Sequence, residues 1–220
     1  QPADLAGIPL LAFDATPTSP WQLAVKRLID VIVAGMALLV LLPAFPVIAL
    51  LIKATSRGPI LFQQSRCGLN GRRFALYKFR SMSVDAEAKQ GELRHLNEMG
   101  GPAFKVVNDP RLTPIGHWLR KTSIDELPQL VNVLRGEMSI VGHRPPIPGE
   151  VDQYAPWQRR RLSMRPGITG YWQVNGRSTI KDFDQWMRMD LEYIDRWSLG
   201  LDAKILLKTL PTVLSGIGAK

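Results

Sequence analysis

From residue 31 to residue 52 the chain runs for 22 positions without a charge, interrupted by Pro43 and Pro46. Beyond that run the pattern changes to shorter periods. Ile60-Leu61-Phe62-Gln63 and Phe74-Ala75-Leu76-Tyr77-Lys78-Phe79 read as strands on either side of Asn70-Gly71, a dipeptide that favours hairpin turns. Residues 84–99, rich in Ala, Glu, Gln and Leu, predict a helix that stops at Gly100-Gly101. A second helix is predicted over 123–134, where Ile124, Leu127, Leu130, Val131 and Leu134 share one face. Residues 139–180 are dense in Pro and Gly and predict mostly loop. Helical spacing returns at 183–197 and 201–214, the latter with Lys204 and Lys208 on its polar side. Such a stripe suits a core face and a membrane surface equally. The chain is therefore α-dominated α+β, with a few short strands and amphipathic helices.

The uncharged run is long enough for a membrane, since about 20 apolar residues cover a hydrocarbon core of about 30 Å. Its flanks argue against a simple span. Lys26 and Arg27 precede it and Lys53 and Arg57 follow it, and basic flanks favour the cytoplasmic side at both ends. A helix that enters, breaks and returns meets that demand. Residues 31–42 amount to about 18 Å of helix and residues 43–52 to about 15 Å, so neither arm crosses alone. Pro43 and Pro46 each remove a backbone donor and clash with the preceding turn, which makes both candidates for the break. A kinked single-pass helix is the alternative, and a buried core helix a third.

Charge sharpens this picture. The 220 residues carry 28 Lys and Arg against 19 Asp and Glu, a net charge of +9. Seven basic residues and no acid fall between Lys53 and Arg80: Lys53, Arg57, Arg66, Arg72, Arg73, Lys78 and Arg80. Beside an apolar run, such a block suits anionic headgroups or phosphorylated ligands. No helix-turn-helix, zinc-finger or RNA-recognition pattern supports nucleic acid as the partner. Cys67 is the sole cysteine, which rules out an internal disulfide and suits a reducing compartment. His95, His117 and His143 lack metal-ligand spacing. The expected division is a linker or tail of a further domain at 1–20, a membrane anchor at 21–57 and a compact cytoplasmic domain at 58–220.

Candidate chemistry centres on Thr122-Ser123-Ile124-Asp125-Glu126-Leu127-Pro128. One reading is purely structural: Ser123 and Glu126 match a capping box, with acids in a first helical turn. The other is functional. A carboxylate at a helix N-terminus stays ionised and nucleophilic, and adjacent residues point about 100° apart. One of Asp125 and Glu126 would then attack phosphorus while the other holds a metal, with Mg²⁺ expected from its preference for carboxylate and phosphate oxygens. Phosphoryl chemistry also needs cations. Arg120, Arg144 and Arg177 are candidates, and the prolines after Arg144 hold its backbone extended. A non-catalytic membrane scaffold with a basic docking surface is the competing reading of the whole chain.

Six blocks occur in order: Lys78-Phe79-Arg80-Ser81-Met82, Asp109-Pro110-Arg111, Ser123-Ile124-Asp125-Glu126-Leu127-Pro128-Gln129-Leu130, Met138-Ser139-Ile140-Val141-Gly142, Arg165-Pro166-Gly167-Ile168-Thr169-Gly170 and Gln173-Val174-Asn175-Gly176-Arg177. Over about residues 21–215 the chain resembles the bacterial sugar transferases, the monotopic phosphoglycosyl transferases. The resemblance implies transfer of a sugar-1-phosphate from a UDP-sugar to undecaprenyl phosphate, releasing UMP, at the cytoplasmic face of the bacterial inner membrane. Such enzymes begin O-antigen, capsule or exopolysaccharide assembly. It further implies Mg²⁺, a phospho-aspartate at Asp125, Glu126 as its partner in metal binding, and Lys78, Arg120, Arg144, Arg177 and Asp202 as the remaining substrate-site residues. Its anchor is a re-entrant helix broken at a proline. Expected partners are thus the UDP-sugar, undecaprenyl phosphate and membrane lipids, with homo-oligomerisation open. The family usually has Pro-Arg-Pro where this chain has His143-Arg144-Pro145, and commonly a Ser where Leu42 precedes Pro43. Tyr171-Trp172-Gln173, in place of the Trp-Ala-Gln of some members, leans toward glucose or galactose.

Overall fold

The computed structural model describes residues 2–5, 8–11, 19–104, 106, 108–176, 180 and 182–214. Strands β1 (Pro2–Leu5) and β2 (Ile8–Leu11) form an antiparallel pair. Helix α1 (Pro20–Leu41) then runs into α2 (Ala44–Thr55) through a bend of 64°. Proline dictates both starts: Pro20 opens α1, where a missing N–H costs nothing, and Pro43 stands immediately before α2. Pro46 sits in the first turn of α2, where proline is tolerated, so the break belongs to Pro43.

Strands β3 (Leu61–Cys67) and β4 (Arg73–Phe79) pair antiparallel in register, Leu61 opposite Phe79 and Cys67 opposite Arg73. The turn contains Asn70 at φ 54°, as the Asn-Gly signal requires. Residues 84–99 depart from expectation. They form turns and two short 3-10 segments, Ala88–Gln90 and Arg94–Leu96, rather than an α-helix. Nearly all are exposed or half-exposed, so no apolar face packs to sustain a helix.

Helix α3 (Pro114–Lys121) is capped by Thr113, whose hydroxyl accepts from the Gly116 N–H. A Cβ on Gly116 would lie 1.9 Å from the Ser81 carbonyl oxygen, so only glycine lets α3 lie against the end of β4. The helix predicted over 123–134 divides in two. A 3-10 turn at Ile124–Glu126 precedes α4 (Gln129–Arg135). The break comes from Ser123, held left-handed at φ 56°, and from Pro128 just before α4.

The Pro- and Gly-rich stretch holds β5 (Ser139–Val141), α5 (Pro148–Val151), a 3-10 segment Gln158–Ser163, β6 (Gly167–Thr169) and α6 (Tyr171–Val174). Strands β5 and β6 pair in parallel, and a Cβ on Gly167 would fall 2.1 Å from the Gly142 nitrogen. Helices α7 (Phe183–Asp195) and α8 (Leu199–Leu214) complete the chain. The main core joins Leu76, Leu130, Val133, Met138, Val141, Ile194 and Ile205, with Ala34 of α1 buried among them.

Polar side chains lock α1 onto this core. Lys26 Nζ donates to Asp202 Oδ2 at 2.5 Å and to the Val141 carbonyl at 3.0 Å. Arg27 donates to the carbonyls of Val133 and Leu134 at the end of α4. Asp30 accepts from the Ser139 hydroxyl and the Ile140 N–H, satisfying β5. The opposite face of α1 and much of α2 are apolar and exposed, including Ile32, Met36, Leu39, Val40, Val47 and Leu50.

Candidate active site

One motif of β4 distributes its side chains in four directions. Lys78 points into a cavity of about 250 Å³, Phe79 joins Ile48, Ile52 and Leu119 in a small core, and Arg80 turns toward α2. Arg80 donates to the carbonyls of Arg57 and Ser56 as α2 ends. Ser81 accepts from Arg120 Nε at 3.2 Å, and Met82 lines the cavity. Asn132 of α4 is fully buried and binds the edge of β4, donating to the Ala75 carbonyl at 2.7 Å and accepting from the Tyr77 N–H at 3.2 Å. That pairing carries the Ile124–Glu126 turn beside Lys78, and Lys78 Nζ donates to Glu126 Oε1 at 2.8 Å.

The expected capping box does not form. Ser123 is left-handed and its side chain makes no cap hydrogen bond, while Glu126 reaches across to β4 instead. Asp125 is buried in the 3-10 turn, and α4 begins four residues later, at Gln129. The positive surroundings of Asp125 therefore come from side chains rather than from an α-helix terminus. Arg120 is the clearest of these: burial pulls its guanidinium below the ordinary arginine range, and the Asp125 and Asp109 carboxylates work to restore it.

The cavity gathers five cations, Arg66, Lys78, Arg111, Arg120 and Arg144, against three carboxylates, Asp109, Asp125 and Glu126. This excess suits a diphosphate. Asp109 and Arg111 clamp each other: Oδ1 accepts from Arg111 Nε at 2.9 Å and Oδ2 from Nη2 at 2.6 Å. Burial opposes charge on Asp109, but those hydrogen bonds prevail and hold its carboxyl below the usual range. Arg66 donates to the Pro145 carbonyl at 2.7 Å, and Arg161 to the Arg144 carbonyl at 3.0 Å. Burial and the neighbouring Arg144 push Arg66 down to about 9, which still leaves it charged at neutral pH.

Arg144 lies over the Trp186 ring at 5.8 Å, and Trp186 meets Trp172 at 4.7 Å, so the far wall of the cavity is aromatic. His143, where the resemblance leads one to expect proline, is fully buried, with its two ring nitrogens 3.1 Å from the Met164 and Arg144 carbonyl oxygens. Side-chain anchoring thus supplies the rigidity before Arg144. Behind it, Arg161 and Asp190 form a buried ion pair at 2.9 Å.

Of the residues expected at the site, the structure brings together Asp125, Glu126, Lys78, Arg120 and Arg144. Arg177 lies outside the described residues. Asp202 is elsewhere: it is buried against Lys26, accepts from Tyr193 Oη at 2.7 Å and Trp197 Nε1 at 3.2 Å, and does not line the cavity. Its contacts fasten α8 to α1. The basic block also divides. Lys53, Arg57, Arg72 and Arg73 are exposed, whereas Arg66 and Lys78 serve the cavity and Arg80 the backbone. Sequence reasoning placed Arg66 only within the basic block and assigned no individual role to Asp109 or Arg111, although their Asp-Pro-Arg block was visible. Trp172 and Trp186 give no local sign, because only packing of α6 on α7 unites them.

Among the described residues no three His, Cys, Asp or Glu side chains converge as a metal cluster. The donor set of Asp125 and Glu126 nevertheless fits Mg²⁺, which takes hard carboxylate oxygens and draws its other ligands from water and substrate phosphate.

Residues 21–216 match the model of the bacterial sugar transferases. The chain is 49% identical over 202 residues to a galactosyl transferase, CpsE, of Streptococcus agalactiae, covering 90% of this chain and 44% of that protein. It is 40% identical to an undecaprenyl-phosphate glucose phosphotransferase of Komagataeibacter xylinus, covering 91% and 38%. With the exopolysaccharide production protein ExoY of Rhizobium meliloti it shares 39% identity, covering 88% and 87%. The chain thus spans less than half the length of the first two relatives and most of the third. The match over nearly the whole described chain and these identities show that the chain belongs to the bacterial sugar transferase family.

Proposed function

We propose that this chain transfers a sugar-1-phosphate, glucose or galactose being the expected sugar, from a UDP-sugar to undecaprenyl phosphate. The observation that carries the reading is the burial of Asp125 beside Glu126 in a cavity where five cations face three acids. Relatives named as undecaprenyl-phosphate glucose and galactose phosphotransferases support the acceptor and the sugar.

An Asp125 carboxylate oxygen attacks the sugar-bearing phosphorus. The bond from that phosphorus to the bridging oxygen breaks, and UMP departs with the bridging oxygen and its electron pair. An oxygen of undecaprenyl phosphate then attacks the same phosphorus, breaking the aspartyl–phosphate bond and restoring the carboxylate. Lys78 orients Glu126 and adds positive charge, while Arg120 and Arg144 neutralise the phosphoryl oxygens. Glu126, with Asp125, would hold Mg²⁺, which when bound supplies further charge neutralisation of the diphosphate. Two steps let a membrane-embedded acceptor arrive after the soluble nucleotide has left.

The bent α1–α2 pair would serve as a re-entrant anchor at the cytoplasmic face of the bacterial inner membrane. Support comes from its 64° bend and its contiguous exposed apolar faces. The product would begin a surface polysaccharide: O-antigen, capsule or exopolysaccharide. The test is Asp125→Asn with Mg²⁺, polyprenyl phosphate and a panel of UDP-sugars. UMP release should fall at least about 10³-fold, with no covalent sugar-phosphate adduct on the protein. Full activity in the variant would remove Asp125 from the nucleophile's role, and a silent native protein on every sugar would favour a scaffold.

A further inference from the structure

A second cavity, of about 190 Å³, lies beside the first. The two share Ser123, Glu126, Ile168 and Gln173, so the carboxylate turn stands at their junction. Their chemistry differs sharply. The second is walled mainly by carbon, from Ile124, Leu127, Leu130 and Val174. Its three threonines are satisfied within the protein. Thr169 and Thr209 hydroxyls bond each other at 2.8 Å, Thr209 also donates to the Ile205 carbonyl, and Thr122 donates to the Trp118 carbonyl. A wall of carbon and engaged threonine hydroxyls, with Ser123, Glu126 and Gln173 on the side shared with the first cavity, asks for a mainly apolar occupant. Gln173, whose Oε1 is buried without a hydrogen-bond partner, lies on the wall that the two cavities share.

We propose that this groove seats the first isoprenoid units of the polyprenyl acceptor and so aims its phosphate at Asp125. The inference rests on the acceptor named above and adds where its hydrocarbon lies. A UDP-sugar does not suit the groove, because its ribose, base and phosphates would meet the carbon of Ile124, Leu127, Leu130 and Val174 and threonine hydroxyls that are already engaged. A ligand with a phosphate at one end and hydrocarbon at the other matches both cavities at once. The groove is far too small for a whole long-chain polyprenol, so the rest of the chain continues into lipid.

The test has two arms, both on the chain in nanodiscs. In the first, a polyprenyl phosphate with a diazirine on its first isoprenoid unit is photolysed on the native protein. Label on peptides covering 122–130 or 168–174 is expected. Label confined to α1 and α2, or equal labelling of the groove by a diazirine phospholipid, would overturn the assignment. In the second, Val174→Trp fills the groove. The KM for polyprenyl phosphate should rise about tenfold or more while that for the UDP-sugar moves less than about twofold. Equal changes in both would overturn the groove. Failure of the native protein to release UMP would instead count against the proposed reaction, and photolabelling would still read the groove. Photolabelling also stands alone if Val174→Trp does not fold.

Discussion

Ser123 and His143 show how single residues with no chemical role set the site. Ser123 adopts a left-handed backbone that costs a non-glycine residue about 1–2 kcal/mol. This conformation ends the approach from α3 and turns Asp125 inward. His143 replaces a ring-fixed backbone with a buried imidazole. Burial, then the nearby Arg161, push its pKa down to about 3, against 6.5 for the free side chain. Between those values the unfolded chain binds a proton that the native state refuses, so His143 contributes stability above pH 6.5 that is lost as pH falls toward 3. Asp190 acts in the opposite sense. Burial raises it to about 6 despite Arg161, so its contribution is greatest below 3.8 and is lost as pH rises through 6. The histidine acts alone between about pH 6.5 and 6, and from 6 down to 3.8 the two opposed contributions largely offset, so the native protein's stability changes little there. His143→Gln removes the opposing contribution, so in melting curves taken from pH 7.5 to 4.5 the variant should gain stability below pH 6 where the native protein does not. An unchanged slope would exclude His143 as the titrating group. No part of this was legible beforehand, because a histidine in a sequence does not reveal whether it is buried.

At the scale of elements, the hairpin, the α1–α2 break and the two C-terminal helices follow from local pattern, while the helices expected at 84–99 and 123–134 do not survive intact. The first has no packing partner for any face. The second is cut by Ser123 and Pro128, and its division is what frees Asp125 from an ordinary helical turn. Asp202 illustrates the limit of reasoning by motif. Its carboxylate is consumed by Lys26, Tyr193 and Trp197, joining α8 to α1. Removing one partner of a buried ion pair costs about 3–5 kcal/mol. Asp202→Asn should therefore lower unfolding stability by that order, measured by denaturant titration in detergent. A rise in UDP-sugar KM with unchanged stability would return Asp202 to the substrate site.

For the whole molecule, the buried contacts of Lys26 and Asp30, with those of half-buried Arg27, hold the start of α1 against the main core. The exposed apolar faces of α1 and α2 therefore move with the cavity as one body. On the re-entrant reading, exposed positions before and after the bend face the same side of the membrane. Ala24→Cys and Lys53→Cys, each in a Cys67→Ser background, should both react with a membrane-impermeant maleimide only when the cytoplasmic face is accessible. Reaction from opposite sides would establish a single-pass helix. Ala24 is the better probe than Lys26, whose ammonium is buried.

The sequence by itself determined what depends on neighbours along the chain. Length without charge, prolines in the middle and basic flanks specified a broken apolar helix, Asn-Gly specified the hairpin, and the ordered motifs specified the family. Tertiary structure decided everything that depends on approach through space. It chose Pro43 over Pro46, sent Arg66 and Arg111 to the cavity and Asp202 away from it, and set an apolar groove against a polar one. The physical reason is that a side chain's charge and hydrogen bonds act over a few ångströms. Residues as distant as Lys26 and Asp202, or Lys78 and Glu126, become partners only when strands and helices pack.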